Sequence, residues 1–191
     1  MKLRFVITGG PGGGKTTLLD ALAERGYRIA PEAARRLIKE RLAEGLAPRP
    51  DPVCFARAIL NSDMQQYQAA TAHDDVTFFD RGVPDALYML DLESAITEGE
   101  AAELIQRFPY NDRVFLLPPW EVIYGTDTER DQTFEESVAV FEAIKRWYSR
   151  WGYDTVEVPR AGVEARVSFI LKALGHPRRD SVSMVAAPRS Y

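Results

Sequence analysis

The residues with the clearest chemistry lie close to the start of the sequence, where glycines surround a lysine and a threonine. Residues 9–16 read Gly-Gly-Pro-Gly-Gly-Gly-Lys-Thr and match the phosphate-binding pattern G-x-x-x-x-G-K-[ST] in full. Glycine permits backbone conformations in which successive N–H groups point at one anion, and side chains would block that approach. We therefore expect this segment to bind nucleotide phosphate.

Each part of this segment has a predicted role. Lys15 supplies a positive charge for the β- and γ-phosphates, and the hydroxyl of Thr16 is a ligand for Mg²⁺. The helix that should follow directs its N-terminal N–H groups at the same oxygens. The apolar run Leu3–Ile7 predicts the strand that this motif requires before it. The predicted nucleotide-binding residues are Gly9, Gly10, Pro11, Gly12, Gly13, Gly14, Lys15, Thr16 and Thr17.

A second chemical signal is an acid at the end of another apolar run. Asp80 closes residues 75–80, and in phosphate-loop proteins an acid at this place holds Mg²⁺ directly or through water. Motor-type ATPases usually place a glutamate next, to orient the attacking water, but here the next residue is Arg81. This favours phosphoryl transfer to a bound acceptor, with the arginine contacting phosphate or substrate. The alternative is that Asp80-Arg81-Gly82 only caps the next helix and pairs locally.

Composition limits the remaining function classes. The chain has 191 residues, of which 46% are hydrophobic, enough for one domain with a sizeable core. The formal net charge of −4 gives no bulk attraction to nucleic acid, so we expect no nucleic-acid partner. No apolar run is long enough to span a membrane, and we expect a cytoplasmic protein. Cys54, the single cysteine, is predicted to be a small buried hydrophobic residue.

Apolar strands alternate with segments of helical period along the chain, a pattern typical of a parallel sheet with helices on both faces. Strands are predicted at 3–7, 27–30, 75–80, 113–117 and 154–158. Helices are predicted at 16–22, 33–44, 53–71, 84–92, 98–107, 134–151 and 163–174. In the helix at 134–151 the spacing of large apolar side chains predicts a face directed at the core.

The order of these motifs resembles a known family. Gly9–Thr17, Pro31-Glu32, Phe79–Gly82 and the late Thr155–Pro159 together resemble the AAA-type phosphate-loop family that includes the ribosylnicotinamide kinase domain of the NAD regulator NadR. More distantly, the chain is similar to deoxynucleoside kinases. The resemblance covers residues 1–174 and leaves 175–191 as a tail. It implies a three-layer α/β/α P-loop NTPase fold, with a five-stranded parallel sheet around a central loop strand, and it implies ATP with Mg²⁺.

The resemblance also gives Glu32 a role. It matches the glutamate that in deoxynucleoside kinases accepts the proton of the attacking hydroxyl, and a carboxylate near the γ-phosphate suits that task. The alternative is that Glu32 caps the helix beginning near Ala33, because acids favour a helix N-terminus.

Residues 121–135 fall where kinases of this group place a lid. Arg130 is the only cation in residues 124–136, and a lid arginine would stabilise charge on the transferring phosphoryl group. A solvent loop in which Thr133 and Glu136 form a capping box is compatible with the same residues.

The predicted function is that of an ATP- and Mg²⁺-dependent kinase that transfers the γ-phosphoryl group to a small hydroxyl-bearing metabolite, of nucleoside-like type. The predicted catalytic residues are Lys15, Glu32, Asp80, Arg81 and Arg130, and the predicted metal ligands are Thr16 and Asp80. The alternative is a regulatory switch or adaptor that binds ATP or GTP. Because the sequence lacks the guanine-specific Asn-Lys-x-Asp pattern, ATP is favoured.

Overall fold

Five parallel strands form the centre of the molecule. The structure is a computed structural model that describes residues 3–48, 50–123 and 133–175. The strands are β1 (Arg4–Thr8), β2 (Arg28–Ala30), β3 (Thr77–Asp80), β4 (Arg113–Leu116) and β5 (Asp154–Glu157), and their order across the sheet is β2-β3-β1-β4-β5. The strand before the phosphate loop is thus the central one. This confirms the predicted five-stranded parallel sheet.

Helices cover both faces of this sheet. They are α1 (Lys15–Ala23), α2 (Ala33–Ala43), α3 (Pro52–Thr71), α4 (Val83–Leu92), α5 (Glu98–Arg107), α6 (Phe134–Arg150) and α7 (Val163–Ala173), and a short 3₁₀ turn spans Glu121–Ile123. On one face α1 and α7 pack together, and on the other α3, α4, α5 and α6 contribute to a larger core. The three-layer α/β/α fold predicted from the sequence is therefore confirmed.

The central strand shows why both faces are needed. Phe5 and Ile7 lie in the core beneath α1 and α7, whereas Val6 lies in the core beneath α3 to α6. A strand buried on both sides reads as a continuous apolar run, which is how β1 was recognised. The predicted apolar face of α6 is also found, since Phe141, Trp147 and their neighbours Ile144 and Tyr148 are buried.

Local capping sets where the helices begin. The Asp51 side chain accepts a hydrogen bond from the backbone N–H of Cys54, and Pro52 occupies the first turn of α3. At α6, Thr133 and Glu136 form the capping box expected from the sequence. The prediction that Cys54 is buried is wrong. It is exposed in the first turn of α3, because the adjacent Phe55 and Ala56 turn toward the core instead.

The register of the strands brings the motif ends together. Ile7 of β1 pairs with Asp80 of β3, and Ala30 of β2 pairs with Phe79 of the same strand. Because the strands are parallel, the residues that follow them all emerge at one edge of the sheet. The phosphate loop, Glu32 and Arg81 therefore start from neighbouring points.

Two predicted segments, the lid and the C-terminal tail, lie largely or wholly outside the described residues. Of the predicted lid, residues 124–132 lie outside the described residues, and so does the tail from 176 to 191. Within the described part of the chain, no helix is long and apolar enough to cross a membrane.

Candidate active site

The phosphate loop connects β1 to α1 and has the backbone shape that its glycines permit. Gly14 caps α1 with φ 68°, in the left-handed region, and Gly9 has φ 141°. A Cβ atom on Gly9 would overlap the carbonyl oxygen of Leu117, the residue that follows β4. Glycine is therefore needed at position 9 both for its backbone conformation and for this close approach.

Lys15, at the start of α1, forms an ion pair with the acid at the end of β3. Its Nζ atom lies 2.6 Å from Oδ1 of Asp80, and the two side chains are only 11% and 9% exposed. Burial raises the pKa of Asp80, and the positive charge of Lys15 partly offsets this effect. The loop lysine and the candidate metal ligand are therefore in direct contact, while Thr16 lies exposed in the first turn of α1.

A second ion pair joins the ends of β2 and β3. Nε of Arg81 lies 3.2 Å from Oε1 of Glu32, and Nε of Arg35 lies 3.6 Å from the other carboxylate oxygen. Burial alone would raise the pKa of Glu32, but the charges of Arg81, Lys15 and Arg35 outweigh it and hold the pKa below its usual value. Glu32 is thus an ionised carboxylate at neutral pH, and its side chain is 17% exposed.

The position of Glu32 also bears on the capping alternative. It occupies the N-cap position of α2, yet its side chain forms no capping hydrogen bond with the helix. Its carboxylate is directed to the arginines instead. The observed contacts therefore favour a role in the site over a role as a helix cap.

Arg81 is held in an unusual backbone conformation. Its φ is 66°, in the left-handed region that non-glycine residues rarely adopt. Its backbone N–H donates to the carbonyl oxygen of Ile7 at 3.1 Å, which anchors the residue beside β1. Burial would lower the pKa of Arg81, but the carboxylates of Asp85, Glu32 and Asp80 outweigh it and raise the pKa. The guanidinium is thus a fixed positive charge in this site.

Two acids in the site were not found from the sequence. Asp85, in the first turn of α4, is 6% exposed and accepts hydrogen bonds from Thr8 and Tyr148. Asp63, on α3, is 3% exposed, and its Oδ2 atom has no hydrogen-bond partner among the described residues. Burial, followed by the charge of Asp85, raises the pKa of Asp63 well above its usual value. Glu32, Asp63, Arg81 and Asp85 are referred to below as the acceptor side of the site.

A third residue missed by sequence analysis supports the phosphate loop from behind. Arg166 of α7 is 5% exposed, and its Nη1 donates to the carbonyl oxygens of Gly13 and Gly14 at 3.0 and 3.3 Å. Its sequence neighbours give no sign of this contact, since 153 residues separate it from Gly13. A narrow cleft beside it is lined by Gly13, Leu117, Pro118, Trp120, Val158, Pro159, Arg160 and Arg166.

Four of the five predicted catalytic residues are brought together. Lys15 and Asp80 form one pair, Glu32 and Arg81 form the other, and the charge of Lys15 lowers the pKa of Glu32. The fifth, Arg130, lies outside the described residues. The arrangement combines an anion-binding loop, a buried carboxylate beside the loop lysine, and an ionised carboxylate held by arginine.

Solved structures with the same fold include two kinases. Deoxyadenosine kinase from M. mycoides, with the products dCMP and a flexible dCDP bound, superposes with a TM-score of 0.63 at 17% identity, covering 90% of this chain and 98% of that one. Thymidylate kinase from Ehrlichia chaffeensis gives a TM-score of 0.60 at 14% identity, covering 91% of this chain and 98% of the other. At these identities the likeness concerns the fold.

Sequence comparison gives the family. No curated protein matches the chain. A family model described as an AAA domain matches residues 4–166, which include the phosphate loop, all five strands and most of the described helices. The match agrees with the resemblance stated from the motifs, and it covers well over half of the sequence. The chain therefore belongs to this AAA domain family.

Proposed function

We propose that this protein is an ATP- and Mg²⁺-dependent kinase that transfers the γ-phosphoryl group to the hydroxyl of a small, unphosphorylated acceptor. The observation that carries the proposal is the Glu32–Arg81 pair beside the Lys15–Asp80 pair at one edge of the sheet. An ionised carboxylate here is suited to a hydroxyl acceptor, because a hydroxyl must lose its proton as the phosphoryl group is transferred.

Glu32 is placed to accept the hydroxyl proton in this step. It is ionised at neutral pH, and its partial exposure leaves a carboxylate oxygen within reach of a bound molecule. The contribution of Glu32 rests on this position, because a lowered pKa makes its carboxylate a weaker base. The acceptor oxygen forms a bond to the γ-phosphorus while the bond from that phosphorus to the β,γ-bridging oxygen breaks and ADP leaves. The hydroxyl proton passes to the Glu32 carboxylate. Arg81 would neutralise charge on the transferring group. Arg130, the arginine of the predicted lid, is proposed to do the same.

The nucleotide side fits the triphosphate and its metal ion. The backbone N–H groups of residues 9–17, apart from Pro11, which has none, bind the phosphate oxygens, and Lys15 adds a mobile positive charge. The buried Asp80 carboxylate and the exposed Thr16 hydroxyl are oxygen ligands of the kind that Mg²⁺ prefers. When bound, Mg²⁺ would neutralise charge on the phosphates and orient them for transfer.

The charges around the acceptor side favour an acceptor that carries no phosphate. Asp63 lies within electrostatic range of the carboxylates Glu32, Asp80 and Asp85, and of Arg81. Arg81 is already paired with two of these acids. On α2, Arg35 pairs with Glu32, and Arg36 contacts Glu40 and Ser62. A phosphate brought here would find Arg81, Arg35 and Arg36 already paired with acids of this chain, whereas a nucleoside or another neutral polyol needs no such cation.

The structural neighbours with this fold include a kinase named for an acceptor without phosphate and a kinase named for an acceptor with phosphate. One is named as a kinase of deoxyadenosine, a nucleoside, and the other as a kinase of thymidylate, a nucleotide. The charge distribution supports the first type for this chain.

A coupled assay of ADP release tests the proposal. Purified protein with ATP and Mg²⁺ is offered a panel of nucleosides and the corresponding nucleoside monophosphates. We expect one or more nucleosides to raise ADP release at least about tenfold over the acceptor-free rate, and the monophosphates to have no effect. Lys15→Met should abolish the increase, because the positive charge on the phosphates is lost.

The same assay separates the kinase from the nucleotide-dependent switch. If no acceptor raises ADP release while ATP or GTP still changes the affinity of the protein for a partner, the switch is supported and the kinase is rejected. Stimulation by monophosphates alone would keep the kinase and reject the charge argument.

A further inference from the structure

Asp85 connects three elements of the site through one buried carboxylate. Oδ1 accepts a hydrogen bond from the hydroxyl of Thr8 at 2.5 Å, at the end of β1. Oδ2 accepts from the hydroxyl of Tyr148 at 2.6 Å, on α6, and from the backbone N–H of Gly82 at 3.1 Å. Nη1 of Arg81 lies 3.5 Å from Oδ1. Both oxygens of this acid are therefore occupied.

These contacts surround the strained residue Arg81. A left-handed conformation is unfavourable for a non-glycine residue, so neighbouring contacts must hold it. On one side the N–H of Arg81 is bound to Ile7. On the other side the next N–H, that of Gly82, is bound to Asp85, which also faces the Arg81 guanidinium.

The same carboxylate links the two sides of the site. Thr8 directly precedes Gly9 of the phosphate loop. Tyr148, which is fully buried, lies on the helix that packs against the loop at Gly10, where a Cβ atom would come within 2.7 Å of the Ser137 carbonyl oxygen. A shift of Asp85 would therefore displace both Arg81 and the end of β1, the strand that precedes the loop.

From these contacts we infer that Asp85 is a positioning residue for phosphoryl transfer: its carboxylate holds Arg81 in the backbone conformation that sets the guanidinium against Glu32. The inference rests on the proposed function, because Glu32 and Arg81 are assigned to the reaction there. Asp85 itself touches neither acceptor nor nucleotide in this assignment.

A purely structural role is the simplest alternative. Asp85 caps the start of α4 by accepting a hydrogen bond from the backbone N–H of Gly82, but that task uses only its Oδ2 atom. The contacts of Oδ1 with Thr8 and Arg81 lie outside the helix and add nothing to the cap. Asp85→Asn keeps one oxygen for the cap and removes the charge that faces Arg81, so it separates the two roles.

Steady-state kinetics with an acceptor found by the ADP-release assay give the first test. We expect Asp85→Asn to lower kcat by about 10–100-fold, as supporting contacts of reactive groups do, with the KM for ATP changed less than about threefold. Asp91→Asn, an exposed acid on the same helix, is the matched control and should leave kcat unchanged. In an Arg81→Gln background, Asp85→Asn should add less than about threefold, because it acts through Arg81. Independent, multiplying effects of the two substitutions would overturn the inference.

A titration of Glu32 by carboxyl ¹³C NMR gives a second test that needs no acceptor. Removing the negative charge of Asp85 through space would lower the pKa of Glu32, whereas displacing Arg81 from Glu32 would raise it. We expect Asp85→Asn to raise the pKa of Glu32 relative to the unsubstituted protein. An unchanged or lower pKa would overturn the inference.

A second variant covers the case in which Asp85→Asn fails to fold. Tyr148→Phe removes one hydrogen bond to the carboxylate and keeps the aromatic ring in the core. It should change kcat and the Glu32 pKa in the same directions as Asp85→Asn, by smaller amounts, and no change in either would count against the inference. If the unsubstituted protein transfers phosphoryl to no acceptor, the proposed function fails, and the titration alone decides whether Asp85 positions Arg81.

Discussion

The phosphate loop is one continuous run of residues, whereas the acceptor side is assembled from side chains on four different elements. The phosphate loop carries its function in the backbone N–H groups of one short segment, uninterrupted from Gly12 to Thr17, so the sequence pattern alone identifies it. Glu32, Asp63, Arg81 and Asp85 lie at the end of β2, on α3, after β3 and on α4. The two regions therefore differ in how substitutions should act: the loop controls whether nucleotide binds, and the acceptor side controls whether it reacts.

Glu32→Gln is expected to give the largest difference between an effect on kcat and an effect on ATP affinity. Loss of the proton acceptor should lower kcat by about 10²–10⁴-fold, because general-base assistance contributes about that much. ATP affinity, measured by calorimetry, should stay within about threefold. Glu44→Gln, an exposed position after α2, is the matched control. If Glu32→Gln weakens ATP binding as strongly as it lowers kcat, the two regions are not functionally separate.

The opposite pattern is expected from Arg166→Gln, behind the loop. The change removes charge-assisted hydrogen bonds to the Gly13 and Gly14 carbonyls. Because such bonds contribute about 1.5–3 kcal/mol, ATP affinity should fall by about 10–100-fold. Saturating ATP should restore most of kcat. Lys172→Gln, exposed on the same helix, provides the comparison, and a large kcat loss in Arg166→Gln at saturating ATP would show that the loop and the acceptor side are coupled.

The smallest effect is a change of stability at Asp63. Because its pKa is raised in the folded protein, the folded state binds a proton that the unfolded state releases above about pH 4. Stability is thus lost as pH rises from that value toward the folded pKa. Asp63→Asn should therefore raise the free energy of unfolding at pH 7, with a gain that shrinks toward pH 4.

Urea unfolding at several pH values measures this effect. Asp74→Asn, at an exposed position, is the matched control. A loss of stability in Asp63→Asn at pH 7 would mean that the charges of Arg81 and its neighbours compensate this carboxylate, and that Asp63 is ionised in the folded protein.

The fold was largely accessible from the sequence because its signals are local. β1 reads as an apolar run buried on both faces, and Thr133 and Glu136 form the capping box that their spacing predicts. Three of the loop glycines, Gly9, Gly12 and Gly14, have positive φ angles. The strand bounds differ by one to two residues from the predicted ones at several ends, where pairing decides the limit rather than residue type.

The candidate site was accessible only where a residue closes a recognisable strand. Glu32 follows β2, Asp80 is the last residue of β3, and Arg81 follows β3. Because parallel strands end at the same edge of the sheet, these residues are expected to meet. Asp63, Asp85 and Arg166 lie within helices, and their partners are up to 153 residues away. Helical period predicts only that such positions are buried or exposed, and it gives no information about which distant group they contact. For Cys54 the sequence did not predict even the burial of the side chain correctly. The residue is exposed in the first turn of α3.

The most direct test of the account is the fate of a labelled γ-phosphoryl group. ATP labelled with ³²P at the γ-position is incubated with Mg²⁺, the protein and the stimulating acceptor, and the products are separated. We predict that the label appears in a phosphate ester of the acceptor, and that Glu32→Gln suppresses that ester by about 10²-fold or more while still binding ATP. Label found only in inorganic phosphate, or ester formed equally by Glu32→Gln, would contradict the central claim.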